Sequence, residues 1–142
     1  MPGLAALIEF AGRRADAAMN AWQRLTTQCD EAKHKLLLLK QHGEGYGNLM
    51  HARLQDGMSA TSMVSHIGFI GQIEAIVGRQ ESEVRGLEEG CTRLWQELVE
   101  ARRQKRMYEI LSERAKMAKD ATASRHMQAE IDELLQRAVQ GH

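Results

Sequence analysis

Apolar residues recur along the first third of the chain with alternating spacings of three and four. With a heptad position a at Ile8, the a series runs Ile8, Ala15, Trp22, Cys29, Leu36, Gly43 and Met50. The d series runs Leu4, Ala11, Ala18, Leu25, Ala32, Leu39, Tyr46 and Arg53. Only Gly43 and Arg53 interrupt an otherwise apolar pattern. A straight helix of 3.6 residues per turn drifts out of phase with such a repeat, so sustaining it marks a coiled-coil seam. A second seam passes through Ile70, Ile73, Val77, Gln80, Val84, Leu87, Cys91, Leu94, Leu98, Ala101, Lys105 and Tyr108. After Tyr108 the phase slips, and a new register starts at Met127, Ile131, Leu134 and Ala138.

Between the seams lies Gln55-Asp56-Gly57-Met58-Ser59-Ala60. Asp-Gly is turn chemistry, Gly57 suits a left-handed position beyond a helix end, and Ser59 or Thr61 can cap the next helix. The pattern predicts an all-α chain, a long two-helix antiparallel coiled-coil hairpin, elongated and forming a single domain over 1–142. Helix one is expected at about 4–54, the turn at 55–60 and helix two at about 61–139, with the short connection making the helices antiparallel neighbours. In a hairpin bent near residue 58, residues at equal height have indices summing to about 117. Phe10 with Tyr108, Trp22 with Trp95 and Tyr46 with Phe69 satisfy this, so the six aromatics are expected to form three cross-helix pairs.

Composition agrees. The only proline is Pro2, which leaves the rest of the chain without a residue that forbids helix. Aromatics are scarce at 4%, and the 43% apolar share leans on Ala, Leu and Met, suited to thin helical layers rather than a wide core. Glycines at 43, 45, 47, 68, 71, 78, 86 and 90 dilute helix propensity, each by about 0.5–1 kcal/mol relative to Ala. The tip is therefore expected to be the weaker part, completed by a partner.

Lys+Arg and Asp+Glu are equal at 19 each, so no global field draws the chain to nucleic acid or an acidic membrane. No apolar run reaches the roughly 20 residues of a membrane span, and the N-terminus lacks the marks of a secretory signal. The expected compartment is the cytoplasm. Charge is nonetheless segregated, with Arg102, Arg103, Lys105 and Arg106 bunched in the second helix. This cluster reads as a solvated helix face or as a contact for an acidic protein groove.

Motifs for catalysis are missing: there is no HExxH, Walker loop or nucleophile elbow. Gly43-Glu44-Gly45-Tyr46-Gly47 precedes no Lys-Ser/Thr and reads as a flexible helical segment. The six histidines never fall at i, i+3 or i, i+4, so no metal site is expected. Cys29 and Cys91 are too few for a disulfide framework, yet both sit on seam positions and their indices sum to 120, which places them near one another. They read as small buried hydrophobes, or as a redox pair. No catalytic, cofactor-binding or metal-binding residue is assigned.

Several features occur in a distinctive order. Tyr46 lies towards the end of the first helix, followed by the glycine-containing turn and then by Phe69-Ile70-Gly71-Gln72-Ile73-Glu74-Ala75-Ile76. Leu94-Trp95 then opens a charged run through Arg102-Arg103-Gln104-Lys105-Arg106-Met107-Tyr108 to Glu113-Arg114, and the tail carries Glu130-Ile131-Asp132-Glu133-Leu134-Leu135. Taken together over nearly the whole chain, these features resemble the FliJ family of the bacterial flagellar type III export apparatus. A virulence-type secretion component would look similar.

The resemblance implies a non-enzymatic, stalk-like coiled coil. Its implied partners are the flagellar export ATPase, the membrane export gate protein and export chaperones, with no cofactor and no nucleic acid. Membrane association would be peripheral, at the inner face, through those partners. The family's gate-facing surface, carried over, falls on Leu39, His42, Tyr46, Phe69, Ile73 and Ile76, together with Lys35 and Gln80. Lys35, His42, Ile76 and Gln80 depart from the family's residue types, and Tyr46, Phe69 and Ile73 lie on or beside the seam, where they could be core. The ATPase contact is expected at the open end, with Arg102, Arg103, Lys105 and Arg106. Alternatives are a coiled-coil adaptor or chaperone of a virulence secretion system or of an unrelated assembly, and a helical nucleic-acid-binding protein using the Arg102–Arg106 cluster.

Overall fold

The computed structural model describes residues 2–141. Two helices account for almost all of them, α1 over Pro2–Asp56 and α2 over Ala60–Gln140, packed against one another. The turn is three residues long. Gly57 adopts φ of 91°, a left-handed conformation that costs glycine no Cβ strain, and its N–H donates to the Leu54 carbonyl at 3.4 Å. Ser59 caps α2: the Ser62 N–H donates to its Oγ at 3.2 Å and the Met63 N–H to its carbonyl at 3.0 Å. Of the two candidate caps, Ser59 takes the role. Among the described residues, no helix is long and apolar enough to cross a membrane.

Side-chain burial follows the heptads. Along α1, every a and d residue from Leu4 to Met50 is shielded from solvent at least in part, and Arg53 alone of the series is exposed. All twelve α2 seam residues from Ile70 to Tyr108 are shielded as well. The repeat forces this outcome, because only positions a and d keep returning to the side facing the other helix.

Two compact units share these helices. The unit over Ala17–Leu98 is an antiparallel hairpin containing the turn. Its seam holds Cys29, Ala32, Met50, Val84 and Leu98, the last fully buried. Trp22 and Trp95 meet across it with ring centroids 5.1 Å apart, and Tyr46 and Phe69 meet edge to face at 4.6 Å. The second unit pairs the chain up to Asp16 with the chain from Val99 onward. Here Ala11 and Ala15 pack close to the helix carrying Ala101, and the Arg14 guanidinium donates to Gln104 Oε1 at 2.7 Å. From Glu113 to Gly141 every residue is exposed, including Met127, Ile131 and Leu134 of the tail register.

One expected aromatic pair does not form. Phe10 is 60% exposed and stacks on no ring among the described residues, while Tyr108 is half-buried. Matching indices set height along a hairpin but not direction. Phe10 occupies heptad position c, which points away from the seam, whereas Trp22 and Tyr46 occupy a and d.

Candidate interaction surface at the hairpin tip

Residues adjoining a seam line one of two sides, and the sequence says which. On both helices, a residue one place before a seam position lies on one flank, and a residue one place after lies on the other. Because the helices run antiparallel, like flanks face each other across the seam. Near the tip, His42, Gly45 and Leu49 precede seam positions on α1, and Phe69, Gln72 and Ile76 precede them on α2. These residues form two adjoining hollows.

The first hollow, of about 390 Å³, is lined by His42, Gly45, Tyr46, Leu49, Phe69 and Ile73 with Gln41 at its edge. The second, of about 220 Å³, is lined by Leu39, His42, Phe69, Gln72, Ile73 and Ile76. His42, Phe69 and Ile73 belong to both. The six residues Leu39, His42, Tyr46, Phe69, Ile73 and Ile76 therefore converge on one concave, mainly apolar surface. Phe69 is 46% exposed and Ile76 41%, so the surface presents carbon to solvent. Tyr46 is half-buried and held from both sides: its ring packs on Phe69, and its hydroxyl hydrogen-bonds to His66 Nδ1. Its glycine neighbours do not leave it bare.

Gln80 lies elsewhere. It is 6% exposed, and its Nε2 donates to the Ala32 carbonyl at 3.0 Å. A side chain committed inside the seam presents nothing to a docking protein. Lys35 is exposed, one place before Leu36 and on the same flank as His42. The motif reading missed Leu49, which is 51% exposed and lines the first hollow. Its signal was available, since Leu49 is an apolar residue one heptad after His42 at the same flanking position.

The basic cluster lies among glutamates on α2. Arg103 makes a two-pronged hydrogen bond to Glu100 at 3.0 Å for each prong, and Arg106 reaches Glu109 at 3.4 Å and Glu113 at 3.6 Å. The hydrogen bond from Arg103 holds the Glu100 carboxyl below the usual carboxylate range. Lys105 is on the seam, half-buried, with its stem near Gly12 and its ammonium 3.9 Å from Glu109. Arg102 is exposed. At about 100° per residue the four basic positions fall within about 160° of the helix. Arg102 and Arg103 each neighbour Arg106 on its exposed side, and Lys105 turns into the seam. Beside the cluster, Met107, Ile110 and Leu111 form a shallow apolar hollow edged by Arg103, Arg106 and Arg114.

Cys29 is buried and Cys91 half-buried, and both are free thiols. Burial pushes the Cys29 thiol up; Lys33 opposes this, and the neighbouring Cys91 thiol adds to it. No cluster of three or more His, Cys, Asp or Glu that could hold a metal occurs among the described residues.

No curated protein and no solved structure matches the chain. The family model described as Flagellar FliJ protein does, over residues 2–142. With that span covered, and with two long helices paired along heptad seams, the chain belongs to the flagellar FliJ family, components of the flagellar export apparatus.

Proposed function

We propose that this protein couples other export components without an active site of its own, docking through its hairpin tip onto the membrane export gate protein. The observation that carries this reading is the convergence of His42, Phe69, Ile73 and Ile76 on one hollow surface with Phe69 and Ile76 more than 40% exposed. An aromatic anchor in an apolar depression, edged by polar His42 and Gln72, is the arrangement in which a few residues dominate binding energy. The end of α2 carrying Arg102, Arg103, Lys105 and Arg106 contacts the export ATPase, and export chaperones are escorted by the same chain. The protein works in the cytoplasm, at the inner face of the cell membrane through these partners.

The test is gate-protein binding, measured alongside thermal melting, for Phe69→Ala and Ile76→Ala. Binding is expected to weaken by about 2 kcal/mol for Phe69→Ala. Ile76→Ala is expected to melt almost normally, since that side chain is partly in water already. Variants that bind the gate normally while folded would overturn the assignment. The ATPase arm predicts that the purified chain stimulates the export ATPase and hydrolyses no ATP itself.

A further inference from the structure

The opposite flank of the tip carries a second groove, chemically unlike the first. Gly43 and Gly47 on α1 and Gly78 on α2 leave it open, with Ile70, Ile73 and Val77 as its apolar lining. Its volume is about 500 Å³, larger than either hollow on the gate-facing flank. The glycines create it. A Cβ at Gly47 or Gly78 would meet nothing within 4 Å, whereas one at Gly43 would press on Ile73 Cγ2 at 3.2 Å. Gly43 thus lets the helices approach, and the other two keep the groove empty of side chains.

The rim is acidic. Glu44, Glu74 and Glu81 border the groove, and Lys40 is the only basic residue lining it. Lys40 lies 3.9 Å from Glu81, leaving Glu44 and Glu74 without an ion-pair partner among the described residues. The floor is apolar and the walls carry net negative charge. Phosphate-bearing ligands, whether nucleic acid or anionic lipid, are repelled by such a rim.

We propose that this groove is a second docking site, taken by a helix of another protein that carries an apolar ridge flanked by Lys or Arg. Two features set that chemistry. Apolar lining from both helices asks for an apolar ridge, the helix-in-groove mode of recognition. Glu74 and Glu81 are seven residues apart on α2, about 10 Å at 1.5 Å per residue, the separation of two basic side chains at i and i+7 on a helix lying alongside. The second of these shares Glu81 with the exposed Lys40. A second copy of this chain fits less well. In its own basic-apolar segment, around Met107 and Ile110, Arg103 and Arg106 sit among Glu100, Glu109 and Glu113, so a second copy would bring acid as well as base to an acidic rim.

The experiment uses the full chain and a labelled synthetic helical peptide of about 18 residues with a leucine ridge and lysine flanks. Fluorescence anisotropy should register binding that weakens as salt rises. A peptide with the same ridge and glutamate flanks should bind at least about tenfold more weakly. Gly78→Leu fills the groove from an open position, and it should abolish binding without lowering the melting temperature. Glu44→Gln/Glu74→Gln/Glu81→Gln removes the rim charge without touching the seam, and it should weaken binding about tenfold even if the leucine variant disturbs the fold. Equal binding of the two peptides, or unchanged binding by the triple variant, overturns the proposal. So does a native chain that sediments as a dimer and becomes monomeric on Gly78→Leu, for the groove would then belong to a second copy.

Discussion

Gln80 and Ala32 meet across the seam: the glutamine amide, buried to 6% exposure, donates from Nε2 to the alanine carbonyl oxygen at 3.0 Å. A polar side chain at a seam position sets register, since a shift of either helix would strand its amide in an apolar layer. The Ala32 carbonyl uses a spare lone pair, so losing Gln80 leaves no orphaned backbone group. Gln80→Leu is therefore expected to melt within about 1 kcal/mol of the parent. Cysteine pairs placed one heptad out of register should cross-link faster in Gln80→Leu than in the parent. Gln80→Ala, which leaves a cavity, should be clearly less stable than Gln80→Leu.

Gly90 and Gly86 are one turn apart in α2 and should respond oppositely to alanine. A Cβ at Gly90 would lie 2.8 Å from Leu25 Cδ2, whereas one at Gly86 would meet nothing within 4 Å. Gly86→Ala should stabilise by about 0.5–1 kcal/mol through helix propensity alone. At Gly90 the same gain is opposed by overpacking of about 1–3 kcal/mol, and a net loss is expected. Denaturant unfolding of both variants reads the difference directly. A stabilised Gly90→Ala would mean that Leu25 turns aside at little cost.

The tail beyond Arg114 has no shielded side chain among the described residues. Its local contacts, Arg137 to Glu133 at 2.8 Å and His126 to Glu130 at 3.3 Å, are exposed and i, i+4, and a charged pair of this kind adds about 0.2–0.5 kcal/mol to a helix. Removing residues 115–142 should leave the denaturant midpoint of the remaining chain almost unchanged. Far-ultraviolet circular dichroism should fall by no more than those residues account for. A large loss of stability would require packing of the tail that its exposure does not provide.

The Cys29 thiol is raised by its burial, so the folded chain favours the protonated form. Stability from this residue is fully present below the pKa of the unfolded thiol and lost as pH rises through the folded value. Relative to Cys29→Ala, the native chain should lose stability with increasing alkalinity, from about pH 8 upward. At neutral pH, Cys91 should alkylate well before Cys29, which is only 4% exposed. Equal alkylation rates by mass spectrometry would show that the seam opens locally at this layer.

Much of the architecture was decided by residue order alone. Sustained four-three spacing, the near-absence of proline and Asp56-Gly57 ahead of Ser59 determine two helices and a tight turn, because each acts through local geometry. The seam residues were legible for the same reason: a heptad repeat always returns to one side. Tertiary structure decided matters that depend on two helices at once. Phe10 shares a height with Tyr108 yet points into solvent, since height follows from counting and direction from helix phase. Gln80 was a seam position by spacing and a surface residue by resemblance; the Ala32 carbonyl within its reach decided for the seam. The two tip grooves depended on pairing as well. Gly47 and Gly78 are far apart in the chain, and nothing in either helix alone shows that their missing side chains open onto the same space.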